Sequence, residues 1–406
     1  MPPKSNAQTY YQLGNDAVSQ GRYDDALILY HQALEIEPQN TEFLCTIGNI
    51  LMTNLYDYQA AIRYYERALR IKSKDPNILC SLGDCIILSG GDRAQAFRCY
   101  EDALHFHPDF FQAHACCAWA YGHCGEYEKA LTACDTFLAR AQSLPHVNFG
   151  LYACAYKAKG IAYDGLGQYE DACLCFMQAH EYNPQDEEIQ KNLVVTKFAC
   201  GEYSGAIACC DEILSRYPEA VDAAEAVEVA GVLSDKALIC YISERFELAK
   251  GCWYSIDRLS SGVTSSRSLA LVNLSYFFIL QKNFERVNEI FSRLDPFFAQ
   301  NDPLVMQGRA LSAELQQKTD EAQAYFAQVD RIIQSLVQRK HKPPELIRLY
   351  LSRGLVYGIF GYHEKAIQIL SQALENYPNY VPLQQTLEKA VLACDAASSS
   401  NLLMPK

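Results

Sequence analysis

The feature that most constrains this chain is an internal period. Residues 153–186 and 187–220 are two back-to-back units of 34 residues with the same punctuation. The first carries Gly160, Tyr163, Gly167, Tyr169, Ala172, Phe176, Ala179 and Pro184. The second answers with Lys197, Gly201, Tyr203, Ala206, Cys210, Ile213, Leu214 and Pro218. A Gly-x-Tyr-x-x-Ala spacing and a closing proline recur together. A chain of 406 residues would ordinarily be read as two or three domains, but a fixed period overrides that expectation. Half of the residues are apolar, so core material is ample.

This period and pattern resemble the tetratricopeptide repeat, a helix–turn–helix unit, and the resemblance covers nearly the whole chain. It implies an all-α fold, a right-handed α-solenoid of about ten such repeats with a C-terminal capping helix. Residues 1–6 read as a disordered leader. Residues 7–144 hold repeats 1–4. In repeat 1, Gly14 and Ala33 let paired helices approach, Tyr23 and Tyr30 fill the gaps, and Pro38 stops the second helix. Repeat 2 keeps Gly48, Ala61, Tyr65 and Ala68; repeat 3 keeps Gly83, Ala96, Tyr100 and Ala103. Residues 145–152 form a break and a hinge candidate. Repeats 5 and 6 occupy 153–220, and 221–336 hold the degenerate repeats 7–9. Residues 337–346 read as a basic loop and 347–380 as repeat 10. Residues 381–397 read as the helix that covers the apolar face a last repeat exposes. Residues 398–406 read as a loose tail.

First helices of such repeats line the concave side. If Gly14 and its equivalents face the partner helix, the residues two before and one after them face the groove. Repeats 1–3 then offer a polar row, Asn15, Asn49 and Asp84, flanked by Gln12, Thr46 and Ser81. Such side chains either grip the backbone of an extended peptide or are merely solvated. Trp119 follows in repeat 4, as a binding anchor or as packing against the next repeat. Trp253 falls on the second-helix aromatic position and reads as core. Lys157 and Lys191 share one repeat position, with Asn192 beside the second, as a carboxylate clamp or as solvated lysines. Chaperone-binding relatives hold an acidic chain end with a Lys/Asn/Lys/Arg set. In repeats 1–3 only Asn15 matches it; the other places hold Tyr11, Thr46, Asn77 and Ser81.

Other chemistries find little support. The net charge of −13 argues against sequence-blind binding of nucleic acid. The 17 cysteines lack zinc spacing, and no apolar segment leads the chain, so they read as reduced thiols in small apolar slots of a cytoplasmic protein. The most apolar window, 269–280, is too short and polar for membrane insertion. His105-x-His107 and His123 beside Cys124 are the only hints of a metal or acid–base site, and a histidine near a helix end also favours that end electrostatically. No phosphate-loop, dinucleotide or hydrolase motif occurs. The expectation is a non-catalytic scaffold or adaptor without cofactor, binding protein or peptide segments in its groove. The alternative is a constitutive subunit of a large multiprotein complex, similar to the repeat subunits of ciliary cargo coats or of the cell-cycle ubiquitin ligase. Its obligate interface would be repeats 7–9, rich in Phe277, Phe278, Phe297 and Phe298. A chaperone adaptor is the third reading.

Overall fold

The computed structural model describes residues 6–108, 110–141, 149–217, 223–259, 268–294, 302–339 and 344–402. The described residues form 21 helices. The first eight pair as α1 (Ala7–Ser19) with α2 (Tyr23–Ile36), α3 (Thr41–Thr53) with α4 (Tyr58–Ile71), α5 (Pro76–Leu88) with α6 (Arg93–Phe106), and α7 (Phe111–His123) with α8 (Tyr127–Ala141); α9 (Phe149–Gly165) and α10 (Tyr169–Tyr182) follow in sequence, and α11 (Glu187–Ala199) pairs with α12 (Tyr203–Leu214). Then come α13 (Ala223–Ile242) with α14 (Phe246–Leu259), α15 (Ser268–Leu280) with α16 (Phe284–Ser292), α17 (Pro303–Leu315) with α18 (Thr319–Val337), and α19 (Pro344–Ile359) with α20 (His363–Asn376). A single helix, α21 (Val381–Leu402), ends the description. The fold is an all-α solenoid of helical hairpins.

Local chemistry sets these boundaries. Asn40, Asp75, Asp186 and Asp302 each accept from two backbone N–H groups at the start of α3, α5, α11 and α17, satisfying donors that a helix start leaves open. Every hairpin turn contains one residue with positive φ. Six are glycines: Gly21, Gly90, Gly125, Gly167, Gly201 and Gly361; the others are Tyr56, Glu244, Lys282 and Gln317. Three of those four fall in the degenerate repeats 7–9. A side chain is strained in that conformation. Gln317→Gly is therefore expected to raise stability by about 1 kcal/mol, read as a higher denaturation midpoint.

Several expected boundaries move. Asn6, placed in the leader, caps α1 by accepting from the Gln8 N–H. The helix α9 begins at Phe149, inside the expected break 145–152, and α19 begins at Pro344, inside the expected basic loop 337–346. Proline suits a first helical turn, where its missing N–H is not needed. The last helix continues to Leu402 rather than ending at 397, because no proline interrupts 398–402. Residues 1–5, 145–148, 340–343 and 403–406 lie outside the described residues.

The chain divides into two compact units, residues 1–162 and 163–406. The first unit stacks α1–α8 and most of α9. Its core is made of the small residues that let helices approach and the large ones that fill the gaps: Ala17, Ala33, Ala61, Ala68, Ala96 and Ala103 with Tyr30, Tyr65, Tyr100, Phe43 and Ile47.

In the second unit, the first helices of repeats 7–10 face one another and fill the space between them with their own side chains. Gln307 of α17, wholly buried, donates to Leu349 O at 2.9 Å and Ser352 Oγ at 3.0 Å, both on α19. Tyr276 of α15 donates to Leu304 O at 3.1 Å. Arg348 of α19 pairs with Asp235 of α13 at 2.8 Å, across 113 residues of sequence. The last helix packs on the apolar interior: Tyr380, just before it, meets the rings of Tyr169 and Phe198, and Leu383 within it is fully buried. Its approach is close, since a Cβ on Gly201 would lie 2.8 Å from Val381. Tyr203 donates to Gln385 at 2.6 Å, and Lys389 pairs with Glu244 at 2.7 Å. Trp253 is buried and stacks on Phe277. Phe277 and Phe278 are each 5% exposed, so they form core rather than the open aromatic interface expected of repeats 7–9. Phe297 and Phe298 lie outside the described residues.

Candidate functional site

The polar row of repeats 1–3 is built from the second helices inward. Tyr30, Tyr65 and Tyr100 are almost wholly buried and lie against Gly14, Gly48 and Gly83. A Cβ on those glycines would come within 2.5, 2.8 and 2.7 Å of the three rings, so no larger residue fits without displacing them. Each ring carries its hydroxyl past the glycine to the next residue. Tyr30 donates to Asn15 Oδ1 at 2.7 Å, Tyr65 to Asn49 Oδ1 at 2.5 Å and Tyr100 to Asp84 Oδ1 at 2.7 Å. A hydroxyl carried inward on a buried ring has to find an acceptor.

The same logic explains where the row stops. From repeat 4 onward the second-helix position holds Cys134, Phe176, Cys210, Trp253, Phe291, Phe326 and Leu370, none with a hydroxyl. The first-helix position changes with it, to Trp119, Ile161, Val195, Leu238, Tyr276, Leu311 and Leu355. The three tyrosines are thus the residues of the candidate row that groove geometry alone misses. The signal was present as a Tyr following an Asn or Asp by 15 or 16 residues.

The pinned side chains keep polar atoms to spare. Asn49 is exposed and Asn15 half-buried, each with an amide nitrogen beyond the tyrosine bond. Asp84 is half-buried, and its second oxygen accepts weakly from the Cys116 thiol at 3.8 Å. Burial lifts the Asp84 carboxyl from 3.8 to about 6, against the opposing pull of the Tyr100 and Cys116 hydrogen bonds. Gln12 is exposed beside Tyr11, whose hydroxyl is 3.1 Å from Thr46 Oγ1. Trp119 is half-buried against the core of the first unit and stacks on His123 one turn on.

The two lysines fall in different compact units. Lys157 is half-buried in the first unit; Lys191 is exposed in the second, beside half-buried Asn192, and both lysines have interaction partners already. The His107 ring nitrogen meets Lys74 O at 2.9 Å. Among the described residues, no group of three or more His, Cys, Asp or Glu is placed to hold a metal ion. Among them, too, no helix is long and apolar enough to cross a membrane.

The tetratricopeptide repeat profile matches residues 7–40, and a second profile of the same repeat matches 41–75, 155–186 and 347–380. No curated protein sequence matches the chain. Among solved structures it is similar to a tetratricopeptide repeat protein from Parabacteroides merdae, with 18% identity over 66% of this chain and 97% of that one and a TM-score of 0.44. It is also similar to PilW, a type IV pilus biogenesis factor, with 18% identity over 56% and 98% of the two chains and a TM-score of 0.43. A third is TTC0263 of Thermus thermophilus, with 22% identity over 47% and 98% and a TM-score of 0.40.

Proposed function

Because the chain is a tetratricopeptide repeat protein, we propose that it is a non-catalytic scaffold holding segments of partner proteins, and that its first unit does so along a strip of Asn15, Asn49, Asp84 and Trp119. The observation that carries this reading is the tyrosine-pinned row. A side chain already fixed by a buried hydroxyl loses little freedom when a partner arrives. The amide N–H groups of Asn15 and Asn49 suit the carbonyl oxygens of an extended chain, which have to bond to something. The Asp84 carboxylate suits an N–H or a basic side chain, and Trp119 offers a flat apolar anchor. The second unit supports the choice from the other side, since its first helices pack on one another. Among the described residues no cysteine forms a disulfide, which suits a reducing compartment such as the cytoplasm.

The test is recovery of bound proteins by the tagged chain from its native cells, with and without Trp119→Ala and Asn49→Ala together. The double variant is expected to weaken partner retention by about tenfold or more, since buried aromatic anchors dominate such contacts. Unchanged recovery of every partner would place the interaction elsewhere.

A further inference from the structure

The second unit contains a cleft that this groove reading does not use. It opens between α18 and α20, with α17 and α19 beneath, and has a volume of about 610 Å³. That is the size of a small-molecule pocket. Its walls are mixed, with apolar Phe326, Ile333 and Ile369 set among Gln323, Gln334, Gln368 and Gln372. Its floor comes from one face of α19, where Tyr350, Arg353 and Tyr357 follow at helical spacing.

The floor holds polar atoms with nothing to bind. Arg353 is 8% exposed; its Nη1 donates to Asp330 at 2.7 Å, and the guanidinium lies 4.3 Å from the centre of the Phe326 ring, yet its Nε has no partner. Tyr350 is 1% exposed and its hydroxyl has no partner. Glu314 binds Lys365 through one oxygen, and the other, Oε2, has no partner. The charges therefore cancel in pairs, Arg353 with Asp330 and Lys365 with Glu314. The Tyr357 hydroxyl meets both Arg353 and Glu314, yet three atoms still lack a hydrogen bond: Arg353 Nε and the Tyr350 hydroxyl want an acceptor, and Glu314 Oε2 a donor. Buried polar groups are rarely left so, and three in one cleft ask for an occupant.

We propose that this cleft is a binding site for an organic carboxylate with an apolar body and an N–H beside the carboxylate group. The carboxylate accepts from Arg353 Nε and the Tyr350 hydroxyl, and the neighbouring N–H donates to Glu314 Oε2. The body lies on Phe326, Ile333 and Ile369. A free apolar amino acid and the last residue of a peptide share this chemistry.

The two sources separate in a calorimetric titration of the full chain with L-phenylalanine, a short peptide ending in phenylalanine, and the same peptide amidated at its end. The free-carboxylate probes are expected to bind and the amidated peptide not. Tighter binding of L-phenylalanine marks a metabolite site, tighter binding of the peptide a chain-end site. Tyr350→Phe is expected to weaken binding by about tenfold or more, because it removes a hydrogen bond to a charged group. Its melting temperature is expected to stay level or rise, since only an unpaired hydroxyl is lost. Arg353→Gln is expected to abolish binding. The proposal is overturned if no probe binds at millimolar concentration, if the amidated peptide binds equally, or if Tyr350→Phe leaves the affinity intact.

Discussion

Tyr100→Ala is expected to destabilise the first unit by about 3–5 kcal/mol, the cost of emptying a buried aromatic site. The ring is fully buried, and its neighbour Gly83 has no side chain that could relax into the cavity. The substitution also removes the hydroxyl on which Asp84 Oδ1 rests, leaving that carboxylate the weak Cys116 thiol. Tyr100→Phe separates the two losses. It keeps the ring and gives up the bond, at a cost of about 1–3 kcal/mol. That cost should be larger at pH 7, where Asp84 is charged, than at pH 5, where most of it is protonated. Tyr65→Phe is the control: its acceptor, Asn49, has no charge to gain, so about 1 kcal/mol is lost with no pH dependence across this range. Urea denaturation followed by circular dichroism gives all three values. Repeats contact chiefly their neighbours, so Tyr100→Ala should also broaden the transition as repeat 3 melts apart from the rest. A Tyr100→Ala chain as stable as the parent would mean that the ring does not hold the hairpin together.

These residues also mark how far the sequence could be read. The period makes the first hairpins legible, because Gly14 with Tyr30 and Gly48 with Tyr65 are contacts within one repeat and recur with it. The candidate row was half legible for the same reason. Asn15, Asn49 and Asp84 could be set on the inner face by helical geometry, but their tyrosine partners sit on the other helix and were counted as core. Longer contacts leave no periodic trace. Arg348 reaches Asp235, and Gln385 reaches Tyr203, only because small rotations accumulate over several repeats. Those rotations depend on loop lengths and on degenerate helices, α18 with 19 residues among them. The cleft beside α18 was invisible on the same grounds: it depends on how the long second helix of a degenerate repeat stands against α20 of the next.

Asp84→Asn is expected to make the protein more stable at pH 7 and to change nothing below about pH 3.8. Repeats 1 and 2 already place asparagine at this point under the same tyrosine hydroxyl, so the amide fits. The sign follows from proton binding. The folded carboxyl holds its proton up to about pH 6, whereas the unfolded one releases it near 3.8. Between those values the folded state binds more protons, so stability falls as pH rises through the window and the whole cost is present at pH 7. A rise of this size corresponds to on the order of 3 kcal/mol, an upper bound on the gain from asparagine. Asp164 in the second unit, also lifted to about 6 by burial, adds a slope of the same sign. The quantity to measure is therefore the difference between parent and variant at each pH. A carboxylate held where asparagine is more stable has to be useful in another way. On the binding reading, its use is to meet an N–H or a basic side chain of the partner, so the stabler variant should retain partners less well. If Asp84→Asn gains stability and retains every partner as before, Asp84 is only a cost to the fold, and the strip contracts to Asn15, Asn49 and Trp119.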